Sequence, residues 1–131
     1  PQGNAHLAAM IDPYLRIQQA LQADDLDDVY DHARAMGAEA AKLGSTAQDV
    51  QTAASQFDLA RDLPAARAAF GAPGEAILRS AKESDASPGE GIEVAFCPMV
   101  QKHWLQRGVE IQNPFYGKQM LRCGRFVDSP F

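Results

Sequence analysis

The chain has 131 residues, 46% of them hydrophobic and 22% charged, with a formal net charge of −5. That length suits one domain with a single core of modest size. The acidic balance leaves no basic footprint for a phosphate backbone, which argues against nucleic acid as a partner. No apolar run approaches the roughly 18 residues needed to span a bilayer, so no transmembrane segment is expected. The chain opens at Pro1-Gln2-Gly3-Asn4 without an initiator Met or a signal peptide, as a trimmed or mature fragment would.

Residues 1–85 read as helix. Leu7, Met10, Tyr14, Ile17 and Leu21 recur at steps of three and four and line one helical face. Asp24 and Asp25 break that stripe and can cap the next helix. Leu26, Val29, Ala33, Met36, Ala40 and Leu43 form a second stripe, which Gly44 ends. Ser45 or Thr46 opens a third, with Ala47, Val50, Ala54 and Phe57 inward. Asp62 before Leu63-Pro64 opens the fourth, since proline in a first turn forfeits no hydrogen bond. Its stripe is Leu63, Ala66, Phe70, Pro73 and Ile77, and the Gly71-Ala72-Pro73-Gly74 run inside it predicts a kink or short break near Phe70. Four stripes of similar length with short turns and alanine seams predict an up-down-up-down bundle.

Ser84–Gly91 is a turn-rich linker. Beyond it Ile92, Val94 and Phe96 alternate as a short strand, and Leu121, Cys123 and Phe126-Val127 offer a second. The expected fold class is therefore mainly α: a four-helix bundle over 1–85, then a small irregular cap over 86–131 holding one or two short strands. Both parts form one domain, 1–131. Trp104 reads as an aromatic anchor docking the cap on the bundle, and Asn113-Pro114-Phe115-Tyr116-Gly117 as a turn.

The chemistry lies in the cap. Both cysteines and half of the four methionines fall in two clusters, Cys97-Pro98-Met99 and Met120-Leu121-Arg122-Cys123. Thiolate with thioether selects a soft, low-charge ion such as Cu(I) over Mg²⁺ or Ca²⁺. The competing reading is a disulfide with two core-filling methionines. Such a bridge would close a loop of about 26 residues, worth roughly 3.5 kcal/mol by loop-closure entropy. His103 is a further candidate ligand, which would broaden the site toward Cu(II) or Zn²⁺.

Other constellations carry less. His6/Met10 and His32/Met36 share a helical spacing that chance supplies readily. The acidic run Asp24, Asp25, Asp27, Asp28 and Asp31 lacks the central glycine and closing glutamate of a calcium loop. Cys97 with His103 could pair nucleophile and base, but nothing marks a third orienting group or an oxyanion site, so no enzyme is expected. No phosphate-cradling loop or zinc-protease motif is present.

At these residues the chain resembles the helical domain of unknown function found at the C-terminus of many periplasmic adaptor subunits of heavy-metal efflux pumps, and also as stand-alone exported proteins. The resemblance rests on Cys97-Pro98-Met99, Trp104, Asn113-Pro114-Phe115-Tyr116-Gly117 and Met120-Leu121-Arg122-Cys123-Gly124, with Tyr14-Leu15 and Ala20-Leu21-Gln22-Ala23-Asp24-Asp25 similar to the family's first helix. It implies a periplasmic setting, a helical bundle and a role in copper or silver handling. Carried over position by position, the ligands it implies are Cys97, Met99, Met120 and Cys123, while His103 has no fixed counterpart. The implied cargo is Cu(I) or Ag(I), while Zn stays an alternative through His103 as a ligand. The implied partners are the metal and an efflux-pump adaptor or another periplasmic metal-handling protein. The rival expectation is a disulfide-stapled helical interaction module that binds no metal.

Overall fold

The computed structural model describes residues 2–128, and side chains from His6 onward; the two ends of the 1–131 span lie outside the described residues. Four helices, α1 Gln2–Gln22, α2 Val29–Lys42, α3 Gln48–Ser55 and α4 Leu63–Glu83, precede three strands, β1 Ile92–Cys97, β2 Lys102–Arg107 and β3 Arg125–Val127. Each helix packs on its chain neighbours and α1 packs on α4, so the four close around one core. Leu7, Met10, Tyr14, Ile17 and Leu21 are all buried, as are Ala33, Ala40, Ala54 and Ala66 at the close seams.

Local chemistry explains the helix ends. After α1, Asp24 takes the left-handed conformation (φ 58°), and the Asp24 and Asp25 amides donate to the Leu21 and Ala20 carbonyls. That is a Schellman closure with aspartate where glycine is usual. Asp62 Oδ1 accepts from the Ala65 amide at 2.9 Å and caps α4. The helices are not of similar length. α3 has only 8 residues, flanked by 3₁₀ turns at Gly44–Ala47 and Gln56–Leu59, whereas α1 and α4 have 21 each. Of the kink or short break expected near Phe70, the break does not occur: α4 runs unbroken through Gly71-Ala72-Pro73-Gly74.

The mainly α class with a small irregular cap is overturned. The C-terminal part is a three-stranded antiparallel sheet of order β2-β1-β3, and the architecture is α+β. The strand missing from the pattern is β2. Lys102-His103-Trp104-Leu105-Gln106-Arg107 buries Trp104, Leu105 and Gln106 consecutively, because both of its faces are covered. A strand buried on both sides loses the alternation that identifies strands by sequence. In β1 the fully buried residues are Ala95 and Cys97, while Ile92, Val94 and Phe96 are half-buried.

The sheet docks on the helices through the outer edge of β2. The His103 amide donates to Glu75 Oε2 at 2.6 Å, and the Leu105 amide donates to Tyr14 Oη at 3.2 Å. Two edge amides that would otherwise template foreign strands are thus covered by α4 and α1. Burial pushes the Tyr14 phenol far above its ordinary value, so it stays neutral. Gly74 makes the approach possible: a Cβ there would lie 2.7 Å from Tyr14 Oη and 3.2 Å from the His103 carbonyl oxygen. Tyr14 stacks on Phe70 (4.6 Å between centroids), Phe70 meets Phe115 (6.0 Å), and Phe115 meets Trp104 edge-on (6.0 Å). This chain of rings carries the core from the bundle into the sheet, with Trp104 as its fully buried end.

Candidate metal centre

Cys97 is the last residue of β1 and is completely buried. In the β1–β3 pairing Phe96 stands opposite Arg125, which draws the segment before β3 alongside the end of β1. Cys123 lies on that segment, half-buried, close enough to Cys97 for the two thiols to influence one another. The two cysteines are free thiols in contact, not at disulfide distance. Burial pushes the Cys123 thiol above its ordinary value, and the adjacent Cys97 adds to the rise by charge repulsion and by their hydrogen bond.

Asn113 holds the pair. Its Nδ2 donates to the Cys123 carbonyl at 2.7 Å and lies 3.3 Å from Cys97 Sγ. Its Oδ1 accepts from the Phe115 and Tyr116 amides at 2.7 and 3.2 Å, folding the Pro114–Gly117 segment into an Asx turn. The Asn113 backbone amide donates to the Leu121 carbonyl, and its own carbonyl accepts from Gly117. One fully buried side chain therefore sets both the turn and the approach of the Cys123 backbone to the Cys97 sulfur. The sequence marked Asn113 only as the opening of a turn; the signal available was an Asn-Pro step followed by two aromatics and a glycine.

Surrounding contacts fix the backbone on either side. Gly124 has φ 133°, and a Cβ there would lie 2.8 Å from Trp104 Cη2 and 3.0 Å from the Phe96 carbonyl oxygen, so glycine lets the Cys123 segment lie against the indole. Trp104 Nε1 donates to Gln106 Oε1 at 3.0 Å, and the same oxygen accepts from the Gln112 amide at 2.9 Å. Arg122 reaches the Ile111 carbonyl at 2.7 Å and Glu110 at 2.8 Å. On the helical side, Arg67 bonds Asp24, the Leu21 carbonyl and the Pro114 carbonyl, joining the end of α1 to the turn. The motif residues at both ends of the chain thus form one connected structure.

The remaining candidates are distributed unequally. Met99 sits in the β1–β2 turn with 61% of its surface exposed. Met120 is half-buried at the end of the 3₁₀ turn Gly117–Met120, three residues before Cys123. His103 faces away from the cysteines. It pairs with Phe96 across the hairpin, ring to ring at 4.9 Å, and its Nδ1 lies 2.9 Å from Glu75 Oε2. Residues one step apart in a strand point to opposite faces, so His103, which shares the face of Phe96, cannot share that of Cys97. Among the described residues, no group of three or more His, Cys, Asp or Glu converges as a metal cage would require. Met10 and Met36, the thioethers of the two helical His/Met pairs, are both fully buried in the core.

The fold and this pair define an α+β module with a dithiol centre, one thiol buried and the other half-buried. Compared with known proteins, the chain matches no family model, no curated sequence and no solved structure. Among the described residues no helix is long and apolar enough to cross a membrane.

Proposed function

We propose that the chain is a periplasmic module that captures a soft monovalent metal, Cu(I) or Ag(I), on behalf of a heavy-metal efflux or resistance system, and that it is not an enzyme. One observation carries the reading: Cys97 and Cys123, from distant parts of the sequence, meet as free thiols around a single buried amide. Two thiolates suit an ion that accepts low coordination numbers and soft donors. A zinc site built from Cys97, Cys123 and His103 is less well supported, because His103 lies on the other face of the hairpin.

The electrostatics of the pair favour a cation. Burial and the neighbouring Cys97 make the Cys123 thiol resist ionisation, and a bound metal removes that resistance by supplying positive charge, releasing protons as it binds. Met120 is the thioether nearest Cys123 along the chain, and Met99 reaches the pair only by folding the exposed turn inward. The role in export rests on the resemblance of the Cys97-Pro98-Met99 and Met120–Gly124 segments to the efflux-adaptor domain.

The test is an anaerobic titration of the reduced protein with Cu(I) against a competing chelator, with Zn²⁺ in parallel. One Cu(I) should bind per chain, and Cys97→Ser or Cys123→Ser should weaken binding by orders of magnitude. Met120→Leu should weaken it less, and His103→Gln should leave it unchanged. Unchanged Cu(I) affinity in the double cysteine variant refutes the reading.

A further inference from the structure

The geometry points to Cys123 as the site of a mixed disulfide and to Cys97 as the sulfur that resolves it, so that the dithiol closes in a fixed order and shuts the metal site. The inference rests on the metal reading only for that last consequence; the order itself comes from burial. Cys97 is completely enclosed at the end of β1, whereas Cys123 is half-buried on an irregular segment between the Gly117–Met120 turn and β3. A reagent of any bulk reaches Cys123 first. Cys97 then has one partner within reach, the sulfur of Cys123.

The chemistry is a two-step thiol–disulfide exchange with a small disulfide such as oxidised glutathione. The Cys123 thiolate attacks one sulfur of the reagent, forming a mixed disulfide and expelling one thiolate. The Cys97 thiolate then attacks Cys123 Sγ, forming the Cys97–Cys123 bond and expelling the second. Two protein thiols lose two protons and two electrons, and the reagent is reduced to two thiols. Asn113 Nδ2, 3.3 Å from Cys97 Sγ, supplies a hydrogen-bond donor to that sulfur while it carries charge. The sulfurs, which are not at disulfide distance, must close to about 2.05 Å. The movement falls on the Cys123 side, where the chain is in no regular element, rather than on Cys97, held in the β1 ladder.

The experiment needs no metal for its first part. The reduced protein, Cys97→Ser and Cys123→Ser are each exposed to oxidised glutathione, quenched with acid at intervals and weighed by intact-mass spectrometry. Cys97→Ser should accumulate one glutathione adduct, and Cys123→Ser should react slower by an order of magnitude or more. The wild type should pass through a transient adduct to a species lighter by two hydrogens. In denaturant the two variants should react at similar rates, which assigns the difference to the fold. Equal rates in the folded variants, or faster reaction of Cys123→Ser, overturn the order. In the second part the oxidised protein is titrated with Cu(I): loss of binding that a phosphine reductant restores supports the gate, and retained binding overturns it. If the reduced protein binds no Cu(I), the metal reading fails while the mass data still decide the order.

Discussion

Asn113 Nδ2 lies 2.7 Å from the carbonyl oxygen of Cys123, and the same nitrogen lies 3.3 Å from the sulfur of Cys97. A rigid amide spanning two chain segments fixes their separation more tightly than the contact of two thiols could. Because Asn113 Oδ1 is also committed to the Phe115 and Tyr116 amides, the amide cannot rotate without breaking the turn. The dithiol is therefore only as well ordered as the Asn113 turn.

Asn113→Ala should cost about 3 kcal/mol of folding free energy, since it strands two backbone amides and a carbonyl in a buried place. Urea unfolding monitored by circular dichroism measures this. The same variant, where folded, should bind Cu(I) more weakly than wild type, and wild-type affinity would show that the amide does not organise the sulfurs.

Gly74→Ala should destabilise the protein by about 1–3 kcal/mol, because the new methyl must displace either Tyr14 Oη or the β2 backbone. Tyr14→Phe relieves part of that collision while leaving the Leu105 amide without its acceptor. The double variant should therefore be more stable than the sum of the two single losses indicates. Strict additivity in the double-mutant cycle would show that α1, α4 and β2 do not meet at this point.

Asp24 carries a pH signature. The hydrogen bond from Arg67, first, and the Lys118 amide hold its carboxyl below the ordinary value of 3.8. Because the folded carboxyl is the more acidic, its stabilisation is whole above the unfolded value and disappears as pH falls through the lower folded one. Wild type should melt above Asp24→Asn by a constant margin at neutral pH, and the margin should shrink below about pH 4. Asparagine tolerates the left-handed conformation at this position, so the exchange isolates the charge. A margin independent of pH down to acid unfolding would contradict the pairing.

Trp104 is the sole tryptophan and is completely buried against Phe115 and the Gly124 backbone, beside Cys123. Its emission should be blue-shifted in the native protein. Loading Cu(I) onto the reduced protein should alter the emission intensity, and Cys97→Ser/Cys123→Ser should abolish the change. A full response in the double variant would place the metal elsewhere.

Much of the helical half was legible because its signals are local. The spacing of Leu7, Met10, Tyr14, Ile17 and Leu21 names a buried face without reference to any partner, and Asp62 with Pro64 marks where α4 begins. What misled was also local: the Gly71-Ala72-Pro73-Gly74 run reads as a kink or a break, yet the helix is continuous there and the glycines serve close packing, Gly74 against Tyr14 and β2 and Gly71 against Lys102. Strand β2 had no local signature, since covering both faces erased its alternation.

The sequence by itself determined that both cysteines and two of the four methionines fall in two clusters, that an Asn-Pro turn separates Trp104 from the second, and that a helical face on α1 must be buried. Only the tertiary structure decided which of those sulfurs meet. Strand register turned Cys97 toward Cys123 and His103 toward Glu75, and left Met99 exposed at the hairpin turn. The physical reason is that the face of a strand residue depends on pairing with segments far along the chain, and a shift of one position reverses every side chain.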